Sequence, residues 1–424
     1  MTCKTKASLL SAISLLSVCV GASASAQDNA DAQEDRQAQS SEPPEQSNED
    51  EIVVIAERVR NQVKTPQPPI IVLDEEDIAA YGASSIADLV DELAPETSSG
   101  RGRGSGPPVF LVNGLRVSSF REMRSYPPEA IRRVEVLPEE VALKYGFSAD
   151  QRVINFILKD NFTSRAVEAE YGQPDRGGYS KKEGELTFLK IDGPSRLNLH
   201  LDWNDTSMLT EAERGVRQTA GSLSDLSTDP DPAAYRTLVP DSANIELTGN
   251  WTTKLGKNGS SLSLNGTVER ADTRSLSGLN TVTLTDPNGE SLQRTYGELD
   301  PLARSSRTTT YSLGSTFNAP VGGWQLTATV DASHANTDTK IDRYADNSAL
   351  IAAAASGQLA IDAALPQTAD GGYDEAHSTT DSATSLLTVM GSPFDLPAGT
   401  ASMTFNTGYA WNRINSSDTR NPGV

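Results

Sequence analysis

Beyond Asn161 the chain is written in a two-residue period. In residues 244–252, Ile245, Leu247, Gly249 and Trp251 fall on one side, and Asn244, Glu246, Thr248 and Asn250 on the other. In residues 261–269, Leu262, Leu264, Gly266 and Val268 oppose Ser261, Ser263, Asn265, Thr267 and Glu269. Leu197, Leu199, Leu201 and Trp203 repeat the pattern, as do Trp324, Leu326, Ala328 and Val330. Such alternation fits an extended backbone with one apolar face, and it does not fit a helix. The polar face carries full charges and amides. Trp203, Trp251, Trp324, Tyr409 and Trp411 stand near strand ends, where a membrane-interface girdle places aromatics.

The connections are sorted by length. Short turns fall near residues 191–195, 254–260, 319–323 and 391–399, and long ones near 173–180, 205–241, 273–305 and 337–379. Long loops on one side and short turns on the other is the outer-membrane pattern, which a soluble sandwich has no reason to follow. No later segment is apolar enough for a membrane helix, so a chain that crosses a membrane does so as a β-barrel. Nine strands are expected, near 165–172, 182–190, 196–204, 243–254, 260–272, 306–318, 324–336, 380–391 and 400–412. Single-chain barrels are even-numbered and plugged transporters use about 22 strands, so the expectation is an incomplete barrel with an unpaired edge.

The other end is built differently. Residues 1–26 read as a secretory signal: Lys4 and Lys6, an apolar run from Ala7 to Val20, and the small residues Ala24, Ser25 and Ala26. Both cysteines, Cys3 and Cys19, lie within it, which leaves the rest without a disulfide or a thiol ligand. The formal charge of −21 becomes −23 without the two signal lysines. That acidity argues against a nucleic-acid partner. Residues 27–69 read as an acidic tether, with 27–50 too polar to bury a core. A β-prone island, Glu51, Ile52, Val53, Val54, Ile55 and Ala56, stands within it.

Residues 70–160 read as a compact α+β domain, followed by barrel strands over 161–424. Residues 70–73 form a strand. Asp74 caps a short helix, and Ser84 or Ser85 caps a second over 86–93, ended by Pro95. A glycine-rich loop over 100–106 carries Arg101 and Arg103. A strand over 109–112 turns at Asn113-Gly114. A helical turn over 129–131 leads to strands over 134–137 and 153–158.

The ordered stretches IIVLDEEDIAAYGASSIADLVDELAP, VFLVNGLRVSSF and PPEAIRRVEVLPEEVALKYGFSADQRVINFILK resemble the plug domain of TonB-dependent outer-membrane receptors. The resemblance covers about 90 residues. It departs at Pro138-Glu139-Glu140 and Gln151-Arg152, which marks a divergent subfamily. It implies import of a scarce nutrient, a small molecule or oligosaccharide, through a monomer driven by a TonB-type energy-transducing protein in the periplasm. Its surroundings would be outer-membrane lipid and lipopolysaccharide. A TonB box must add as a strand to its partner, and residues 51–56 suit that role. Arg101 and Arg103 are candidates for an outward ligand loop or a solvated connector, and Arg116, Arg132 and Arg133 for pairing with lumenal carboxylates. A structural or adhesive outer-membrane protein that has lost transport is the alternative.

Nothing points to catalysis. The three histidines His200, His334 and His377 match no metal spacing, and no G-x-S-x-G elbow occurs. Residues 374–377 read as a solvated loop. No cofactor or metal is expected.

Overall fold

The computed structural model describes residues 61–63, 65, 67–97, 108–117, 119–147, 151–219, 221–397 and 399–423. Two sheets organise them. The first contains β1 (Ile71–Leu73), β2 (Val109–Val112), β3 (Leu115–Arg116), β4 (Ile131–Leu137) and β5 (Val153–Leu158), in the order β1-β4-β5-β2-β3. β2 and β5 run parallel, and the other pairs are antiparallel. Every residue of β5 is buried. Both its faces are covered: Ile154, Phe156 and Leu158 pack with Ile86, Leu89 and Leu93, Val153 packs with Leu111, Leu137 and Val141, and the one polar residue, Asn155, is hydrogen-bonded.

Local rules account for this unit. Asp74 closes a capping box on the helix Glu75–Ala80, accepting from the backbone N–H of Asp77 at 3.0 Å. Ser85 does the same for Ile86–Glu92. Asn113 and Gly114 both have positive φ, 54° and 75°, the requirement of a type I′ turn. A side chain at Gly114 would also press on the Asn61 carbonyl, 3.2 Å from the Cβ position. Two expectations need correction. Pro95 does not simply end a helix, because it sits at the start of a further turn, Ala94–Thr97, where its missing N–H costs nothing. The helical turn near 129–131 is Pro128–Ala130, and Ile131 already belongs to β4. The departure at residues 138–140 leads into a helix, Glu140–Lys144.

The second sheet has nine strands. β6 (Asn161–Gly172), β7 (Lys181–Asp192) and β8 (Ser195–Thr206) come first. The short pair β9 (Leu209–Thr210) and β10 (Thr237–Val239) lies in the next connection. β11 (Asp241–Leu255) and β12 (Ser260–Gly278) follow, then the hairpin β13 (Asn280–Thr285) and β14 (Ser291–Tyr296). β15 (Leu302–Val321), β16 (Trp324–Asp342), β17 (Gly372–Leu396) and β18 (Gly399–Pro422) complete the chain order. The wall runs β6-β7-β8-β11-β12-β15-β16-β17-β18, antiparallel throughout, with β6 and β18 outermost. Among the described residues no helix is long and apolar enough to cross a membrane.

All nine expected strands lie inside the nine wall strands, and the real strands run further toward the long connections. One expectation fails there. Residues 374–377 are not a loop but the start of β17, paired with β16. The long connections also hold two helices, Glu211–Arg214 and Ser348–Ala355.

Candidate functional site, the lumenal face

The first sheet and its helices pack against one face of the wall, and the pairing registers fix which residues that face shows. Leu189 and Ile191 of β7 enter the α+β core, with Phe162 of β6 beside them. The Ser125 hydroxyl accepts from Asn198 Nδ2 at 3.0 Å. Glu122, 2% exposed, accepts from Ser263 at 2.8 Å and Asn265 at 3.3 Å. Asn406 Nδ2 donates to the Gly146 carbonyl at 3.4 Å. Asn198, Asn250 and Asn265 form one cross-strand rung, so all these side chains share the inner face. The opposite face carries Leu199, Leu247, Trp251, Leu264, Val268, Leu313 and Val330, all largely exposed. On β11 the apolar positions run from Ile245 to Leu255, matching the 9–11 residues of a transmembrane strand.

The inner face is lined mainly by hydroxyls and amides. One rung differs. Glu168, Glu185, Asp202, Glu246 and Glu269 stand directly across from one another on β6, β7, β8, β11 and β12. Like charges placed opposite one another are unfavourable. Small donors relieve part of this, with Thr187 bonded to Glu185 at 3.0 Å and Thr248 to Glu246 at 3.1 Å. The rung lies between the long connections and the contact with Glu122.

The long connections are folded. Arg294, 1% exposed, makes two bonds to Asp229 at 2.7 Å each and donates to the carbonyls of Ile361 and Ala363. Burial pushes the Asp229 carboxyl up, but Arg294, Ser224 and the Thr295 N–H together hold it below the ordinary aspartate value. Leu284, Tyr296 and Ala354 form a small apolar centre next to this pair.

The α+β unit has its own buried polar network. Glu135, 1% exposed, accepts from Gln62 at 2.8 Å and Asn155 at 3.2 Å, with Arg133 3.5 Å away. Asn155 also accepts from the Gly114 N–H at 2.8 Å. This joins the segment before β1 to the sheet and to its tight turn.

Comparison with known proteins adds to this geometry. No family model matches the chain. The vitamin B12 transporter BtuB of Photobacterium profundum is 28% identical over 150 residues, 32% of this chain and 25% of that protein. The chain is similar, at low identity, to the TonB-dependent outer-membrane receptors. The matched part spans a quarter of the curated relative's length. Among solved structures, the pyoverdine outer membrane receptor FpvA of Pseudomonas aeruginosa PAO1 is 13% identical with a TM-score of 0.37, covering 85% of this chain and 48% of that one. The ferric-catecholate import receptor Fiu of E. coli K12 is 12% identical with a TM-score of 0.26, covering 83% and 67%. The fold assignment rests on the strand registers and not on those scores.

The expected site residues are placed as follows. Glu51, Ile52, Val53, Val54, Ile55, Ala56, Arg101 and Arg103 lie outside the described residues. Arg132 and Arg133 do not reach lumenal carboxylates. They pair within the α+β unit, with Asp160 at 3.2 Å and Glu135, because β4 lies inside its own sheet. Arg116 stacks on Phe147 at 4.3 Å and feels the charge of Asp331 on the wall. His334 and His377 lie on neighbouring strands, β16 and β17, two rungs apart on the outer face, each 2.6 Å from its own aspartate, Asp381 and Asp338. Sequence reading missed Glu122, in the short helical turn Phe120–Glu122, and Asn198 and Ser263, whose polarity matched any inward strand position.

Proposed function

We propose that the chain works in energised import across the outer membrane, with residues 70–160 as the plug inside a barrel wall over 161–424. The observation that carries this reading is the contact of Glu122 with Ser263 and Asn265. A folded body inside a wall must be displaced before a solute can pass. Hydrogen bonds such as these can be exchanged for bonds to water at little net cost, while the apolar contact of Leu189 and Ile191 would keep the unit anchored at β7. Residues 51–56 would be the segment the periplasmic energy-transducing partner grips, by strand addition. The hydroxyl- and amide-lined lumenal face suits a hydrophilic nutrient. The test is growth on limiting nutrients, with iron restriction and complex carbon sources compared, for the intact gene and a deletion of residues 51–56. Energy-dependent uptake lost with the deletion supports the assignment. Uptake that survives the deletion rejects residues 51–56 as the coupling segment.

A further inference from the structure

On the lumenal face the acidic rung has a neighbour of the same sign. The next rung toward the long connections adds Glu170 and Glu183 on β6 and β7, followed by Asn204 and Asn244 on β8 and β11. The two rungs together hold seven carboxylates and, among their described residues, neither lysine nor arginine. On β15, β16 and β17 the same rungs carry Thr308, Thr310, Thr337, Ser378 and Thr380, so the charge is confined to β6–β12. The next inner cation along β7 is Lys181, which is already paired with Glu183 at 2.6 Å. His200 stands one rung below, 3.4 Å from Glu185. Each of the connections 207–240, 279–301 and 343–371 holds more carboxylates than cations.

A second observation is independent of charge. The amide oxygen of Asn244 is buried in the second rung without a hydrogen-bond partner among the described residues. Lower on the same two strands, Asn198 and Asn250 stand directly across from each other, 0% and 3% exposed, and point to the same lumenal side as the carboxylates. The Asn198 oxygen and both amide atoms of Asn250 likewise have no partner. Buried polar groups are ordinarily bonded, so unmatched acceptors below a carboxylate arc call for a donor from outside. An ammonium group supplies three donors and no acceptor. A metal ion fits less well, because among the described residues no three His, Cys, Asp or Glu side chains converge as its ligands must. Carboxylates on neighbouring strands stand about 4.5–5.5 Å apart at Cβ, a distance that ammonium groups joined by three-carbon spacers repeat.

We propose that the lumenal arc from Glu168 to Glu269 binds an oligocationic amine as the imported solute. The proposal rests on the import reading above and names its substrate class. The arc takes successive ammonium groups on successive strands. Asn244, Asn250 and Asn198 then accept donors as the solute moves toward the plug contact at Glu122. Such a ligand relieves the like-charge repulsion that the empty rung carries. The acidic connections raise the local concentration of cations at the mouth and lower that of anions.

The test is isothermal titration calorimetry on the full chain in detergent micelles, with spermidine as the probe and citrate and calcium chloride as controls. The wild type should bind spermidine and not citrate. Glu185→Gln/Glu246→Gln should bind spermidine about tenfold more weakly, the effect of losing one or two charge-assisted contacts. Equal affinity in the variant, binding of citrate, or calcium bound as tightly as spermidine overturns the proposal. If the variant fails to fold, Glu269→Gln and a salt titration of the wild type replace it. Affinity must then fall in both, and salt-independent binding overturns the proposal. Cells carrying the intact gene are assayed in parallel for energy-dependent uptake of labelled spermidine. Selective binding with no energised uptake rejects the import reading and leaves the binding site standing. Energised uptake of another nutrient with no spermidine binding rejects this inference alone.

Discussion

Arg294 and Asp229, 65 residues apart, form a buried two-pronged ion pair that ties together three connections at one end of the wall. The same guanidinium reaches the carbonyls of Ile361 and Ala363. The connections 207–240, 279–301 and 343–371 therefore hold one another. Removing one partner of such a pair strands the other charge, at about 3–5 kcal/mol. Arg294→Met should make these connections rapidly cleavable by protease while the wall strands stay protected in hydrogen exchange. Unchanged cleavage would mean that the apolar centre around Leu284 holds the cap alone.

The pair also sets a pH dependence. Asp229 has its folded pKa below the ordinary 3.8. Its stabilising share is complete above that value and is lost as pH falls below it toward the folded pKa. Protease sensitivity of the 343–371 connection should thus stay flat through mildly acidic pH and rise only below about 3.8. A rise beginning near neutrality would contradict this.

Glu135 is the hub that holds Gln62 to the first sheet, together with Asn155 and Arg133. Glu135→Leu removes the acceptor for all three and should cost about 3 kcal/mol, with the side chain of Arg133 losing its counter-charge. Cleavage near Asn61 and Gln62 should rise before the rest of the unit melts. Global melting with no early cleavage would show that the network does not hold that segment.

The acidic rung makes the opposite kind of prediction. Glu246 faces Asp202 on β8 and Glu269 on β12. Glu246→Gln relieves two like-charge contacts and should raise the thermal midpoint, by up to about 1 kcal/mol in stability. A lower midpoint would show that Thr248 and its neighbours already satisfy the carboxylate.

The strands were legible in sequence because the apolar band writes a period of two, as in Ile245, Leu247, Gly249, Trp251. Their upper ends were not. Above the band Arg270, Asp272 and Arg274 alternate with Ala271 and Thr273, and polar residues on both faces leave no contrast to read. Residues 374–377 resembled a loop for the same reason. The capping boxes at Asp74 and Ser85 and the Asn113-Gly114 turn were readable because each is local. Arg294 with Asp229 and Glu122 with Ser263 were not, since both contacts depend on chain segments brought together only by the fold.

The central claim is that this outer-membrane wall holds a plug that a periplasmic partner can pull. The most direct measurement is a pull-down of the purified protein on the immobilised periplasmic domain of TonB, with and without residues 51–56. Retention of the intact protein and loss on deletion is the expected result; no retention of the intact protein, or retention unaffected by the deletion, would contradict it.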